Sequence, residues 1–214
     1  MYATFQGCTN LKTLEVSNWD TSSVTMMGIE GTNFASYGTF QGCSNLIALD
    51  LSEWDTSNVI AMGNMFGQCS SLINLDLSNF DTSKVYNMLN MFKDCSKLQN
   101  LKIDQLKTNS VSIMDGMFQN CSSLTKLDVS NFNTSNVTSM SNMFRGCNNL
   151  TELNVNNFNT SKVTNMSYMF HRCNSLTELN VDNFNTSNVT NMGSMFNACS
   201  NVTELDLSSF DTDI

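Results

Sequence analysis

Eight cysteines fall at positions 8, 43, 69, 95, 121, 147, 173 and 199, and thiols in number can hold a soft metal, form disulfides or act as nucleophiles. Zinc is disfavoured, because no C-x-x-C pair exists and the single histidine, His171, cannot complete a ligand set with cysteines this far apart. With Phe170 and Arg172 as neighbours, His171 is expected to be a solvated helix residue rather than a catalytic base. An even cysteine count invites a disulfide framework, yet here the count follows from repetition. Each Cys closes an apolar i, i+3, i+4, i+7 helical face. Packed helices stand ~8–10 Å apart, beyond the ~7 Å Cα separation that a disulfide spans, so the expectation is buried free thiols.

Two further columns carry chemistry. Asp20, Asp55 and Asp81 share one phase in adjacent repeats, where they would repel unless hydrogen-bonded, hydrated or bridged by calcium. Thr21, Thr56, Thr82, Thr108, Thr134, Thr160, Thr186 and Thr212 form a complete hydroxyl column, readable either as an ice-binding ladder or as local bonding to backbone. No phosphate loop, dinucleotide turn or nucleophile elbow occurs, and one histidine leaves no credible Ser-His-Asp set. Enzyme is therefore the weakest class, with no catalytic, cofactor or metal residues expected.

The elements that position these columns follow from the period. From Cys43 onward the cysteine returns every 26 residues, and the first gap of 35 is one period plus nine, so the chain is a repeat protein. In one repeat, Leu176, Leu179 and Val181 read as a short strand. The polar DNFNTSN stretch around Phe184 reads as a turn. Met192, Met195, Phe196 and Cys199 read as a short helix, with Ser187, Asn188 or Thr190 as its N-cap. Strands are expected near Leu11, Leu46, Leu72, Leu98, Leu124, Leu150, Leu176 and Val202. The expected fold is thus α/β: a leucine-rich-repeat solenoid with a parallel sheet of about eight short strands on one face and short helices on the other. At ~4.8 Å per strand that face is roughly 34 Å long and suits a macromolecule. The column Trp19, Trp54, Phe80, Leu106, Phe132, Phe158, Phe184 and Phe210 is expected to form a buried spine rather than a sugar-gripping surface.

Residues alternating with the buried strand positions must face outward. Among them Glu152, Glu178, Asp182, Glu204 and Asp206 gather in the last three repeats, where they can receive a basic partner or form a merely solvated face. The nine-residue insertion near 29–38 places Phe34 and Tyr37 outside the repeat pattern, as a contact loop or a tolerated bulge. These seven residues are the candidate partner-binding set. Sequons such as Asn136-Val137-Thr138 arise from the TSNVT consensus and say little about glycosylation.

Units such as LINLDLSNFDTSKVYNMLNMFKDCS, with LDLSNFDTS, V-T-x-M and MF-x-x-C, resemble the BspA-like leucine-rich-repeat surface proteins of bacteria and some protozoa across essentially the whole chain. The resemblance implies a non-enzymatic adhesion or interaction module, at the cell surface or secreted, whose partner is a protein or a matrix or host-surface macromolecule. Charge agrees with a non-nucleic-acid partner: 19 acidic against 10 basic residues give −9, which also disfavours anionic membranes. No apolar run nears the ~20 residues of a membrane helix, and MYATFQGCTN has no leader character. Residues 1–214 are expected to form one array, cut from a longer protein, since both ends fall inside a repeat. Such ends allow a second reading, a spacer or stalk segment with end-to-end self-association.

Overall fold

Asn, Gly and Asp tolerate the left-handed backbone region that other residues avoid, and their placement in the N-M-F-x-G-C segment decides the architecture. The computed structural model describes residues 1–31 and 37–211. In it, two positions per repeat have positive φ. The first column includes Asn64, Asn90, Gly116 and Asn142, and the second includes Gly42, Gln68, Asp94, Asn120 and Gly146. A left-handed residue every four positions cannot be propagated as an α-helix. The segment instead becomes a run of linked β-turns.

The backbone bonds can be accounted for one by one. From Asn64 to Cys69 every N–H has a partner: Met65, Gly67 and Cys69 donate to Met62, Asn64 and Phe66, three residues back. Asn64, Phe66 and Gln68 donate to Leu89, Met91 and Lys93 of the following repeat. Turns and layer-to-layer bonds alternate, leaving nothing for an i to i−4 ladder. The same arrangement recurs through Phe170, which donates to Met195 at 3.0 Å. On the other flank of the turn segment, Tyr86, Ser112, Thr138, Thr164 and Thr190 each donate to the same position one layer back. Each repeat is therefore one layer of a stack.

The strand–helix solenoid expected from the sequence is corrected here, together with its leucine-rich-repeat and solenoid labels. No helix occurs among the described residues, and only two strands do: β1, Asn74–Asp76, and β2, Asn100–Lys102. They pair in parallel, Asn74 opposite Asn100 and Asp76 opposite Lys102, and the sheet goes no further. Elsewhere the layers meet through isolated bridges, such as Lys126 with Glu152 and the series Ala61, Asn87, Ile113, Ser139, Asn165, Asn191. Strands stay short because the L-x-L segment is closed on both sides. Leu72 donates back to Cys69 at its start, and Asp76 Oδ1 captures the Ser78 amide at 3.0 Å at its end. Three residues remain, below the usual five or six.

Phe5, Phe40, Phe66, Phe92, Phe118, Phe144, Phe170 and Phe196 stack through the centre, with successive centroids 5.5–5.9 Å apart and planes within 11°. Each such contact adds about 0.5–1.5 kcal/mol beyond its buried area. The second aromatic column packs against the first, with Trp54, Phe80, Leu106, Phe132, Phe158 and Phe184 only 1–3% exposed. That spine lies inside through Phe184, as its sequence pattern indicates, while Trp19 in the first layer is 40% exposed and Phe210 in the last is only partly buried. The insertion is seated against the next layers: Ile29 N–H donates to Gly63 O at 2.9 Å, and Asn87 Nδ2 to Ile29 O at 3.2 Å. A Cβ on Gly28 would stand 2.0 Å from Gly63 O, so this seat requires glycine.

Candidate interaction surface

Because L-x-L residues alternate, Leu153, Leu179 and Val181 point into the core while their neighbours face solvent. Glu152, Glu178, Asp182, Glu204 and Asp206 are all exposed, and the stack brings them together. Glu152 and Glu178 line a shallow groove of roughly 250 Å³, and Glu178, Asp182, Glu204 and Asp206 line an adjoining one of roughly 400 Å³. Thr177, Glu178 and Asn180 belong to both, so the two form one acidic trough across three layers. Ser208 donates its amide and hydroxyl to Asp206, holding that carboxyl below the usual range. Lys126 Nζ sits 4.0 Å from Glu152 Oε2 at the trough's near end, a solvent-exposed pair of small worth. Tyr37 lies elsewhere, in an early layer, 43% exposed and tilted against Tyr2 with centroids 5.6 Å apart. Phe34 is outside the described residues.

The other columns have internal employment. Asp20, Asp55 and Asp81 each accept the amide of the Ser two residues on, at 2.9–3.0 Å, and Lys107 Nζ lies 3.5 Å from Asp81. Hydrogen bonds from Ser57 hold the Asp55 carboxyl down against the repulsion of Asp20 and Asp81. These are local Asx turns, and no His/Cys/Asp/Glu group among the described residues can hold a metal ion. Of the threonine column, Thr21, Thr56, Thr82, Thr108, Thr134, Thr160 and Thr186 are buried, and Thr212 lies outside the described residues. Thr108 Oγ1 donates to Asn133 O at 3.0 Å and accepts Asn133 N–H at 2.7 Å, and Thr134 and Thr160 repeat this with Asn159 and Asn185. Hydroxyls committed on both sides inside the stack offer no face to ice. The calcium and ice readings are both set aside. The cysteines are free thiols.

His171 departs from the expected solvated helix residue. It is half-buried on a turn, edge-on to Tyr168 with centroids 5.4 Å apart, and its Nδ1 is the one buried side-chain nitrogen or oxygen without a partner among the described residues. Arg145 lies over the Tyr168 ring at 5.1 Å. Sequence reading took His171 singly and missed the group because its layer positions have no constant chemistry: Gly67, Lys93 and Gln119 precede Arg145, and Gln68, Asp94, Asn120 and Gly146 precede Arg172.

A stack of turn-built layers with a polar trough along one side defines a repeat-built protein. The chain matches the family described as "Mycoplasma protein of unknown function, DUF285" over residues 1–30, 33–150 and 114–214, and it belongs to that family. This match, with a structure lacking strand–helix units, replaces the BspA-like leucine-rich-repeat assignment. Among solved structures, the chain is similar to a leucine-rich repeat protein from T. pallidum, at 18% identity and a TM-score of 0.48 over 74% of this chain and 78% of that one. It is also similar to a leucine-rich repeat protein from Eubacterium ventriosum, at 16% and 0.47 over 82% of this chain and 41% of that one. No curated protein matches the chain. No helix among the described residues is long and apolar enough to cross a membrane.

Proposed function

We propose that this protein is a non-catalytic interaction module whose acidic trough receives a basic segment of a macromolecular partner. The observation that carries the reading is the convergence of Glu152, Glu178, Asp182, Glu204 and Asp206 from three layers onto two grooves that share residues. Carboxylates set on successive layers stand at roughly the ~4.8 Å inter-strand spacing. Their Coulomb fields therefore overlap within the ~8 Å screening length of physiological salt. At the ends of these segments the Asp182 and Ser208 amides are held by Asn180 and Asp206, and Asn183 donates to the Asn156 and Phe158 carbonyls one layer back, which lowers the ordering cost of binding. A partner with spaced Lys or Arg side chains is the chemistry this trough complements.

The test is binding of a lysine-rich peptide and its glutamate-rich counterpart to the wild-type chain and to the double variant Glu178→Lys, Glu204→Lys. Both positions are exposed, so the melting temperature should hold while affinity for the basic peptide falls on the order of tenfold. Equal affinity of wild type and variant would rule the trough out.

A further inference from the structure

The last layers are electrically two-sided. Residues 138–150, 164–176 and 190–202, which form the turn side, contain no Asp or Glu, while they hold both arginines of the chain, Arg145 and Arg172, and its only histidine. The carboxylates Glu152, Glu178, Asp182, Glu204 and Asp206 lie along the L-x-L segments that line the trough. In a chain of net charge −9, a cationic group with no carboxylate beside it is unexpected. Neither arginine takes part in an ion pair among the described residues, where the pairs are Lys102–Asp76, Lys107–Asp81 and Lys126–Glu152.

The group is also held in place. Arg145 lies over the Tyr168 ring at 5.1 Å and donates from Nη1 to Asn142 Oδ1 at 3.1 Å, which fixes the plane of its guanidinium. Tyr168 meets His171 edge-on, so the ring bridges one layer's arginine to the next layer's imidazole. Arg172 follows at a left-handed turn position, φ 61°, its amide tied to Asn197 O at 2.9 Å. Tyr168 also has positive φ, 58°, a conformation that bulky residues rarely adopt and that tends to persist where function retains it.

We propose that Arg145, Tyr168, His171 and Arg172 form a binding site for a tetrahedral oxyanion, a sulfate or phosphate group borne by a ligand, on the turn side of the stack away from the acidic trough. Guanidinium forks match such oxygens in pairs. The charged or titratable groups facing His171 are Arg145 from the preceding layer, Arg172 beside it and Tyr168, while Ser194, Asn197 and Ala198 of the following layer bring no charge. Without an anion, burial and then the two arginines hold the imidazole below its ordinary titration range. A bound dianion reverses the sign of the local field and raises it, so binding takes up a proton and tightens as pH falls through the imidazole's titration.

Because His171 is the only histidine, its imidazole NMR signals report on this site alone. The full chain is titrated with sodium sulfate and with sodium phosphate against sodium chloride of matched ionic strength. The expected result is a saturable shift with one or both oxyanions, and a His171 pKa raised by about half a unit or more. The anion that binds more tightly names the ester. In the double variant Arg145→Gln, Arg172→Gln the saturable shift should vanish with the thermal melt unchanged, while Lys162→Gln, altered on an exposed edge of the same layers, should keep it. A response equal to that of chloride, or one surviving in the double arginine variant, would overturn the proposal. If the double variant unfolds, the single variant Arg172→Gln must still weaken sulfate or phosphate binding at least about threefold, and unchanged binding there overturns it equally.

Discussion

The Cys95 thiol donates to the carbonyl of Phe66 one layer back at 3.1 Å, and the same carbonyl accepts the Cys69 amide at 3.1 Å. Both lone pairs of a buried oxygen are thereby filled. Cys69, Cys121, Cys147 and Cys173 repeat the arrangement with Phe40, Phe92, Phe118 and Phe144. The cysteine column thus exists for packing and for one weak donor per layer, which explains its regular return without any metal or disulfide. The barrier to disulfides also differs from the helix spacing expected from sequence: the thiols are sealed and pointed at carbonyls.

Alkaline pH should unfold this protein earlier than its carboxylate content suggests. Burial pushes the Cys43 thiol up to about 11 and those of Cys95 and Cys147 up to about 12, from an ordinary 9.0. A raised folded-state value means the unfolded chain releases protons first. The stabilisation is whole below pH 9 and is lost as pH rises toward 11 and 12. Urea midpoints taken at successive pH values should hold up to about 9 and then fall steadily. A flat profile through the alkaline range would show that the thiols are not protected by the fold. In the native state Cys8, the exposed thiol, should be the first to react with a thiol reagent.

Thr108→Val should destabilise far more than its near-identical shape suggests. The hydroxyl both donates to Asn133 O and accepts Asn133 N–H, with Thr108 fully buried. Valine removes two bonds and leaves the part-buried Asn133 amide without its partner, for a loss of about 1–3 kcal/mol. Thr108→Ser keeps the bonds and should cost about 1 kcal/mol, mainly for the lost methyl. Denaturant unfolding of both variants separates the hydroxyl from the packing, and equal losses would show that the ladder bonds contribute little.

What the sequence disclosed was the inward and outward order of residues. Met62, Met65, Phe66 and Cys69 are buried and Glu178 and Glu204 exposed, as the periodicity indicates. What it concealed was the conformation that produces the order. Linked β-turns advance the chain in steps of about four residues, so they place i, i+3, i+4 and i+7 on one side as a helix does. The distinguishing signal was present in Asn64, Asn90, Asn142 and Gly146, types at home in left-handed positions, but apolar spacing outweighed it. The strand side was over-read for a related reason: an L-x-L alternation long enough to show a period was too short, once Asp76 closed it, to extend β1 beyond Asp76. Far-ultraviolet circular dichroism should accordingly lack the paired helical minima, and a helical spectrum would reverse this assignment.

Ala198→Gly should stabilise the protein. Ala198 has φ 61° at the position filled in other layers by Gly42 and Gly146, and it is exposed, so nothing in packing requires its methyl. An L-residue there carries about 1–2 kcal/mol of left-handed strain, against about 0.5–1 kcal/mol of added chain entropy for glycine when unfolded. The net gain is about 0.5–1 kcal/mol, readable as a higher denaturant midpoint with unchanged slope. A loss would show that the turn side tolerates this conformation at no cost.

Asn87→Ala should loosen the insertion while leaving the stack standing. Asn87 is fully buried, donates from Nδ2 to Ile29 O at 3.2 Å and Gly31 O at 3.3 Å, and accepts the Leu89 amide at 2.8 Å. Its column is filled elsewhere by Ala61, Ile113 and Ser139, so the layers do not need an amide there. The insertion does, because the Ile29 and Gly31 carbonyls face Asn87 across the seat. Alanine leaves those acceptors and the part-buried Leu89 amide short of partners, costing about 1–3 kcal/mol. Much of that loss can be relieved by local opening instead of global unfolding. The expected signature is faster proteolytic cleavage between residues 29 and 38 with only a modest fall in the global melt. Unchanged cleavage would mean that the seat is held by Ile29 on Gly63 and by Tyr86 Oη on Glu30 O, at 2.9 and 2.5 Å, without help from the amide.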